Sequence, residues 1–504
     1  MRVVGPCRSR GKGVELTMRY QDHTQGPVRP GWGRARSRWW AVGLAGVTGL
    51  ALGAAGVAVG PAVGALGRPL ASADDRGGDL GRQEAGKHDE AKGGDTGKGS
   101  DEAKAGDKGK GGDTGKRGST GKRDDGGRGS EKKPSGVPVP CDADALIAAI
   151  TLANARGGAV LDLAKDCTYL LTADIDGAGL PMIVTPITLN GDKHTTIERA
   201  AAVDQFRILT VDVGGDLTLN KLTITGGQTD DSGGGILVNA GGQLTARHSA
   251  ITRNIAEGDG GGIASFGVTV LEHATVSRNI SDGGGGGVFN FDGNLKIFKS
   301  ELRANVASSG GAVSSTGPAA VVTVAGSRLV ENDATGRAGG LLILGDGIGV
   351  VSDTEISGNT ATAYGGIYAD GQATLRRVKL VDNASTIDEA GGLFVTAGSA
   401  VVIEKSFIRG NFSADTGGGV HNVGELVIRE TKIIDNLANQ GGGIYNAGGI
   451  VSLFDTQIVK NTAVVDGGGI FNAMGGTVEL NTATGTIVVK NRPNNCVDVP
   501  GCAG

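Results

Sequence analysis

Residues 436–446 read NLANQGGGIYN, and this order of an asparagine, a glycine run and an apolar residue returns in variant forms between residues 254 and 472. A series of ten Gly-Gly pairs, each followed by an apolar residue, recurs at intervals of 24 to 29 residues. Their second glycines are Gly235, Gly262, Gly287, Gly311, Gly340, Gly366, Gly392, Gly419, Gly443 and Gly469. A period of this length, with short apolar runs and no helical pattern, is typical of a solenoid built from repeated coils.

Asparagine is the second periodic residue. From the second Gly-Gly pair onward, each pair is preceded by one member of the set Asn254, Asn279, Asn305, Asn332, Asn359, Asn383, Asn411, Asn436 and Asn461. An aliphatic residue stands three positions before each of them, such as Ile433 before Asn436. Asparagine tolerates left-handed backbone, and stacked asparagines hydrogen-bond to one another. The column therefore predicts a turn ladder rather than a set of ligand contacts.

Each repeat contains three strand-like runs, exemplified by residues 443–446, 426–428 and 432–436. These runs predict an all-β protein, a single right-handed parallel β-helix over residues 141–504, with about 26 residues per coil and roughly 12 coils. Both ends of such a solenoid need covering, because unpaired strand edges aggregate. At the front, apolar residues at helical spacing after the N-cap candidate Asp142 predict a short capping helix.

The composition agrees with many short strands and tight turns. Of 504 residues, 93 are glycine and only 4% are aromatic, which argues against an ordinary helical or α/β enzyme. Residues 141–504 carry 24 Lys and Arg against 37 Asp and Glu. Because nucleic-acid phosphates need basic neutralisation, this acidic balance predicts no nucleic-acid partner.

Two segments of different character precede the repeats. In residues 1–73, nine Lys and Arg come before the uncharged run 39–67, and residues 71–73 read ASA, a small-residue cleavage site. This pattern predicts either a cleaved signal peptide or an uncleaved membrane anchor, with the repeats extracellular or in the cell envelope. Only an uncleaved anchor would contact a membrane. Residues 74–140 are rich in Gly, Lys and Asp with almost no apolar side chains, and they predict a disordered linker.

Four cysteines flank the repeats, with Cys141 and Cys167 at the front and Cys496 and Cys502 at the back. They allow three pairings, and proximity favours Cys141–Cys167 with Cys496–Cys502. A metal site is the alternative, but neither pair has CxxC spacing or a nearby ligand histidine. Disulfides would agree with an exported protein.

The unit N-x-A-x(3–5)-G-G-G-I-Y/F-N, clearest in residues 441–446 and 467–472, resembles the Gly-Gly-Ala-Ile repeat of polymorphic outer-membrane proteins. Residues 291–294 resemble the companion Phe-x-x-Asn motif, and residues 141–154 resemble a divergent Cys-Ser-Leu-Arg-Glu-Ala-type cap. As a whole, the repeat region is similar to right-handed parallel β-helix repeat proteins secreted by actinobacteria. The resemblance implies adhesion or surface display, without naming a ligand.

Parallel β-helices also include polysaccharide lyases and glycoside hydrolases, which are the alternative function. Such enzymes need paired carboxylates, or a basic residue with calcium, in a groove, and no polygalacturonase-like motif set, HxH or HExxH spacing occurs here. Acidic residues do recur before the glycine pairs, at Asp231, Asp259, Asp282, Glu389, Asp415 and Asp466. Their uneven offsets favour ordinary turn residues over a calcium ladder. We therefore expect no catalysis, no cofactor and no metal.

The residue two places after each Gly-Gly pair gives the best functional hypothesis. From first repeat to last, this column reads Leu237, Ala264, Phe289, Val313, Leu342, Tyr368, Phe394, His421, Tyr445, Phe471. Strands alternate faces, so the aliphatic column one place earlier is expected inside and this column outside. Its last five members would form an exposed strip that binds a polysaccharide, another envelope protein or a second copy. An interior or loop-covered stack is the alternative. The function predicted overall is that of a secreted or cell-envelope structural and adhesive protein.

Overall fold

The computed structural model describes residues 136–503. The segment 1–73 predicted as a signal or anchor, and the predicted linker 74–140 up to residue 135, lie outside these residues. The described chain is a mostly-β parallel solenoid of about 27 residues per turn and about 13 turns, which confirms the predicted fold class. Its short α-helix is Ala143–Ala155, near the start, and a 3-10 helix spans Thr482–Thr484.

Successive turns stack their strands into three parallel sheets. The largest sheet has 24 strands, which are Val137–Val139, Ala159–Leu163, Pro186–Asn190, Leu209–Val211, Asp216–Asn220, Ile236–Val238, Gln243–Arg247, Ile263–Ser265, Val268–Glu272, Val288–Phe291, Asn294–Phe298, Val313–Thr316, Val321–Ala325, Leu341–Ser352, Ile367–Arg376, Leu393–Val395, Ala400–Glu404, Val420–Asn422, Glu425–Arg429, Ile444–Asn446, Ile450–Phe454, Ile470–Asn472, Thr477–Glu479 and Cys496–Val497. The 13-stranded sheet consists of Thr168–Leu171, Thr196–Arg199, Thr223–Thr225, Ala250–Thr252, Thr275–Ser277, Glu301–Arg303, Arg328–Val330, Glu355–Ser357, Lys379–Val381, Phe407–Arg409, Lys432–Ile434, Gln457–Val459 and Ile487–Val489. The 10-stranded sheet consists of Gln228–Thr229, Ile255–Ala256, Ile280–Ser281, Val306–Ser309, Asp333–Arg337, Thr360–Ala363, Ala384–Ser385, Phe412–Ser413, Leu437–Gln440 and Thr462–Asp466.

Columns of aliphatic side chains fill the interior of the solenoid. The column that follows the glycine runs is wholly buried, as predicted. It consists of Ile236, Ile263, Val288, Val313, Leu341, Ile367, Leu393, Val420, Ile444 and Ile470. Because each turn places an aliphatic side chain directly on the one before, every turn removes apolar surface from water, at roughly 25 cal/mol per Å².

The predicted register of this column is wrong in one turn. Val288 pairs with Val313 and Phe289 with Ser314. Ala312 therefore takes the place that the last glycine of the run holds in neighbouring turns. Val313 lies in the core rather than in the outer column, and Ser314 replaces it there. The error arose because Gly310 and Gly311 occupy the first two positions of a three-residue run, not the last two.

The asparagine column forms a continuous hydrogen-bonded ladder inside one bend of the coil, as predicted. Asn332 Nδ2 donates to Asn359 Oδ1 at 2.9 Å, and Asn359 Nδ2 donates to Asn383 Oδ1 at 2.9 Å. The same Asn359 oxygen accepts the backbone N–H of Asn332 at 3.0 Å. The pattern continues to Asn491, and these side chains are buried. The side-chain amides therefore use their hydrogen-bonding groups to hold adjacent turns together.

The predicted helix closes the front of the solenoid. Its N-cap, Asp142, accepts the N–H of Ala145 at 2.8 Å, and its apolar face packs onto the core. Strand Val137–Val139 pairs with Ala159–Leu163 ahead of the helix. The solenoid therefore begins inside segment 74–140, which the sequence predicted as a linker. Val137 and Val139, on either side of Pro138, form a strand at the edge of the sheet.

Disulfides lie at both ends of the solenoid. Cys141 is bonded to Cys167, with a Cα–Cα distance of 5.7 Å, and Cys496 to Cys502, with a distance of 6.2 Å. These are the two pairings that proximity favoured in the sequence. The first joins the helix entrance to the first turn, and the second closes the last strand onto the chain after it.

Candidate functional site

The five aromatic residues predicted as a strip stack in register on adjacent strands of the largest sheet. Strand pairing aligns each residue with the next, from Tyr368 to Phe471. Consecutive ring centroids are 5.6, 4.9, 5.1 and 5.2 Å apart, within the range of favourable aromatic pairs. We call this set the aromatic ladder, which consists of Tyr368, Phe394, His421, Tyr445 and Phe471.

The aromatic ladder is less exposed than predicted. Tyr368 and His421 are only 8% and 5% exposed, whereas Phe394, Tyr445 and Phe471 are half-buried. Tyr368 belongs to a small apolar cluster separate from the main core, whereas Ile367 beside it belongs to the main core. The ladder is thus a covered outer layer whose later members reach solvent.

Glycine turns cover the ladder. The first residues of the last two glycine runs, Gly441 and Gly467, have φ values of 62° and 65°. A Cβ at Gly441 would lie 2.7 Å from the Cβ of Tyr445, and one at Gly467 would lie 2.6 Å from that of Phe471. A Cβ at either of these two positions would force the turn to shift, so glycine is favoured there. The strand alternation visible in the sequence predicted the direction of the rings, but not a turn folded over their bases.

Tyr364 is a further aromatic residue that the sequence analysis missed. Its ring centroid lies 4.9 Å from that of Tyr368 and 4.2 Å from that of Phe394. Tyr364 occupies the first position of a glycine run and has a φ of 64°, a conformation that bulky residues rarely adopt. The sequence signal was available, because a tyrosine stands there where Gly441 and Gly467 stand in later turns.

Charged side chains lie beside several tyrosines of this region. The Arg337 guanidinium lies 5.9 Å from the ring centroid of Tyr368, a cation–π geometry. Burial, followed by the negative charge of Glu389, raises the pKa of Tyr364 to about 12. Burial and then Asp415 raise the pKa of Tyr445. Both phenols therefore keep their protons at neutral pH and can donate hydrogen bonds.

His421 is the polar member of the aromatic ladder. Its Nδ1 lies 2.9 Å from the Thr416 hydroxyl. Burial lowers the pKa of His421 to about 4, because the surroundings disfavour an imidazolium. At neutral pH the ring is uncharged and continues the stack between Phe394 and Tyr445.

The same column is interrupted in the earlier turns. Phe289 packs in a local group with Phe266 and Phe291, at centroid distances of 6.3 and 6.4 Å. Ala264 and Ser314 pair with Phe289 on either side and break any continuous stack. Within this column of the described residues, the unbroken series of rings therefore begins at Tyr368.

Two of the recurring acidic residues, Asp259 and Asp466, accept hydrogen bonds from the following turn. Asp259 Oδ1 accepts the N–H of Gly284 at 2.6 Å, and Asp466 Oδ1 accepts the Asn494 amide at 2.7 Å. Within residues 136–503, no group of three or more His, Cys, Asp or Glu side chains is arranged to hold a metal ion. Over the same residues, no helix is both long and apolar enough to cross a bilayer.

Comparison of the chain with protein-family models, with curated proteins and with solved structures finds no match. The fold and the geometry of the aromatic ladder are therefore the basis for functional inference.

Proposed function

We propose that this protein is a secreted or cell-envelope structural and adhesive protein that binds an extended polysaccharide along its aromatic ladder. The observation that carries the proposal is the register of five rings in five successive turns, outside the main core. Stacked rings held by a rigid sheet lose little conformational freedom when a partner packs on them, which favours binding.

The spacing of the ladder suits a polymer rather than a single small molecule. Phe394, Tyr445 and Phe471 reach solvent, and neighbouring rings are separated by about the length of one sugar residue. Because the rings stack on one another, their exposed edges offer small apolar contacts to a sugar chain, and the affinity would come from several such contacts together. Binding through several weak contacts would tolerate loss of any one.

Polar groups beside the ladder could orient such a chain. Asp415 is exposed and lies close enough to Tyr445 to raise the pKa of its phenol. Carboxylates and phenols can respectively accept from and donate to sugar hydroxyls. A few such groups beside an apolar platform are typical of ligand sites.

Three observations support export. Residues 71–73 offer a small-residue cleavage site after an apolar run. Both cysteine pairs of the solenoid are disulfides, which persist in oxidising compartments. The repeat resembles that of polymorphic outer-membrane proteins, which implies display at a cell surface.

Binding of the full-length protein to an array of neutral polysaccharides tests the proposal. We expect the double variant Tyr445→Ser, Phe471→Ser to bind roughly tenfold more weakly than the natural chain. The matched control is Phe412→Ser, which removes an aromatic ring that is 40% exposed on the 10-stranded sheet. Circular dichroism and melting curves establish that each variant is folded. Equal losses in test and control, or no polysaccharide bound by the natural chain, would contradict the proposal.

A further inference from the structure

A second surface with its own chemistry lies on the 13-stranded sheet. Two rows of basic residues flank its strands between residues 221 and 303. The first row precedes the strands and consists of Lys221, His248, His273 and Lys299, and the second follows them and consists of Arg253 and Arg278. All six side chains are exposed. We call these six residues the cationic face.

The cationic face lacks the ion pairs found farther along the same sheet. In the later turns Lys405 lies 3.5 Å from Glu430, and Arg409 lies 3.8 Å from Asp435. Across the described part of the chain, no carboxylate lies within ion-pairing distance of any cationic-face residue. Glu272, next to His273 in the chain, pairs with Arg247, and Glu301, on the strand beside Thr275–Ser277, pairs with Arg328.

Like groups stack directly within the first row. The imidazoles of His248 and His273 are parallel to within 17°, with centroids 4.8 Å apart. Lys221 and Lys299 occupy the same turn position in the adjoining turns. An anion bound along the row would accept hydrogen bonds from the ammonium groups of Lys221 and Lys299 and from imidazole N–H groups.

The floor between the two rows carries hydroxyl groups. The Oγ1 atom of Thr252 lies 3.2 Å from the Oγ atom of Ser277, and Thr275 occupies the same strand as Ser277. Hydroxyl groups match the hydrogen-bonding pattern of sugars. The floor strands Ala250–Thr252 and Thr275–Ser277 carry no aromatic side chain, whereas nucleic-acid bases stack on aromatic platforms. These features favour an anionic polysaccharide over a nucleic acid.

We propose that the cationic face binds a linear anionic polysaccharide that lies along the solenoid axis, with its sulfate or carboxylate groups between the two rows. Arginine pairs with such oxyanions through two parallel N–H donors, which suits Arg253 and Arg278. The rows repeat at the turn spacing of about 4.8 Å, so several anionic groups can be met at once. The site does not depend on the aromatic ladder.

Lysine acetylation of the full-length protein, mapped by mass spectrometry, locates the contact directly. At about 0.15 M salt, where weak long-range attraction is screened, we expect dextran sulfate or carboxymethyl dextran to protect Lys221 and Lys299. Lys405, which precedes strand Phe407–Arg409, and Lys432, which begins strand Lys432–Ile434 of the same sheet, are the internal controls and should remain reactive. The two polymers distinguish a preference for sulfate from one for carboxylate, and neutral dextran should protect none of these lysines.

A matched pair of variants tests the second row. The variant Arg253→Gln, Arg278→Gln should bind the favoured polymer roughly tenfold more weakly, because it loses two charge contacts. The control Arg377→Gln, Arg409→Gln removes two arginines that have acidic partners, and it should bind as the natural chain does.

Three results would overturn the proposal: equal protection of Lys221 and Lys405, equal weakening by both variants, or protection of Lys221 and Lys299 by duplex DNA as strong as that by the polysaccharides. The ladder variant Tyr445→Ser, Phe471→Ser should leave protection of Lys221 unchanged. Failure at one site is therefore distinguishable from failure at the other.

Discussion

The asparagine ladder and the aromatic ladder have the same period but different relations to solvent. Asn359 is buried, and its Nδ2 donates both to the Leu329 carbonyl and to Asn383 Oδ1. In the aromatic ladder, by contrast, Tyr445 touches its neighbours through ring stacking and remains partly exposed.

This difference explains how the two columns vary along the chain. The asparagine is the same in every turn from Asn254 to Asn491, because each amide needs the next one as its partner. The outer column holds leucine, alanine, serine and aromatic residues at the same position, because no directed bond fixes its identity. The outer column is free to vary, yet it is aromatic in five successive turns. It is therefore a better candidate for a functional site than the asparagine column.

The largest expected effect comes from breaking the asparagine ladder. Asn359→Leu keeps a similar volume but removes the acceptor of the Asn332 backbone N–H and the donor to the Leu329 carbonyl. Buried groups left without partners cost about 1–3 kcal/mol each, so we expect a loss of about 3–5 kcal/mol in the free energy of unfolding. Urea denaturation measures it.

The control for this substitution is Asn439→Leu, three turns farther along the solenoid. Asn439 lies on strand Leu437–Gln440 of the 10-stranded sheet and is half-buried, and within the described residues its side chain makes no hydrogen bond. Its replacement should change the unfolding free energy by less than about 0.5 kcal/mol. Similar losses in the two variants would show that the ladder amides have no special role.

The polar member of the aromatic ladder gives the next largest effect, through pH. The folded-state pKa of His421 is about 4, below the ordinary value for histidine, so the unfolded chain binds the proton first as pH falls. The stability associated with neutral His421 is therefore complete above about pH 6.5 and declines toward pH 4, by about 3 kcal/mol.

The variant His421→Phe isolates this contribution, since it continues the stack but cannot titrate. Carboxylates elsewhere affect both proteins equally. The difference in unfolding free energy between the natural chain and the variant should therefore change by about 3 kcal/mol between pH 7 and pH 4, in favour of the variant. A difference independent of pH would show that His421 is accessible to protons in the folded state.

A smaller effect separates the two ends of the aromatic ladder. Tyr368 is buried in its own apolar cluster, whereas Tyr445 is half-buried near the other end. We expect Tyr368→Ala to cost about 2–3 kcal/mol through the cavity it leaves, and Tyr445→Ala to cost about 1 kcal/mol. Thermal melting of both variants checks the order. If Tyr445→Ala were the more damaging, the exposed end could not be a free contact surface.

The sequence was sufficient to predict the features that depend on the repeat period and on the alternation of side chains along each strand. The turn length, the asparagine ladder, the buried aliphatic column and the stacking of Tyr368 with Phe394 all follow from residue spacing. The slip at Val313 arose where Ala312 replaced a glycine, because two adjacent registers then fit the same pattern equally well.

Other features depend on three-dimensional contacts that spacing does not encode. The covering of Tyr445 requires the positive φ of Gly441, which brings the turn over the base of the ring. The cationic face was hidden by the net acidity of residues 141–504. An average over the domain does not show that acidic side chains pair in the later turns while Arg253 and Arg278 remain unpaired among the described residues.

The smallest expected effect concerns Tyr364, where two contributions to the free energy of unfolding have opposite signs. Its left-handed backbone costs about 1–2 kcal/mol relative to glycine, while its ring gains a similar amount by packing on Tyr368 and Phe394. Tyr364→Gly removes both terms and should change the unfolding free energy by less than about 1 kcal/mol. Tyr364→Ala removes the packing but retains the backbone cost, as Ala338 and Ala390 do at the same position, and should lose about 1–2 kcal/mol. Melting curves of the two variants test this prediction. If Tyr364→Gly were as destabilising as Tyr364→Ala, the backbone at this position would carry no strain. A tyrosine in the glycine run would then need no compensating contact with the aromatic ladder.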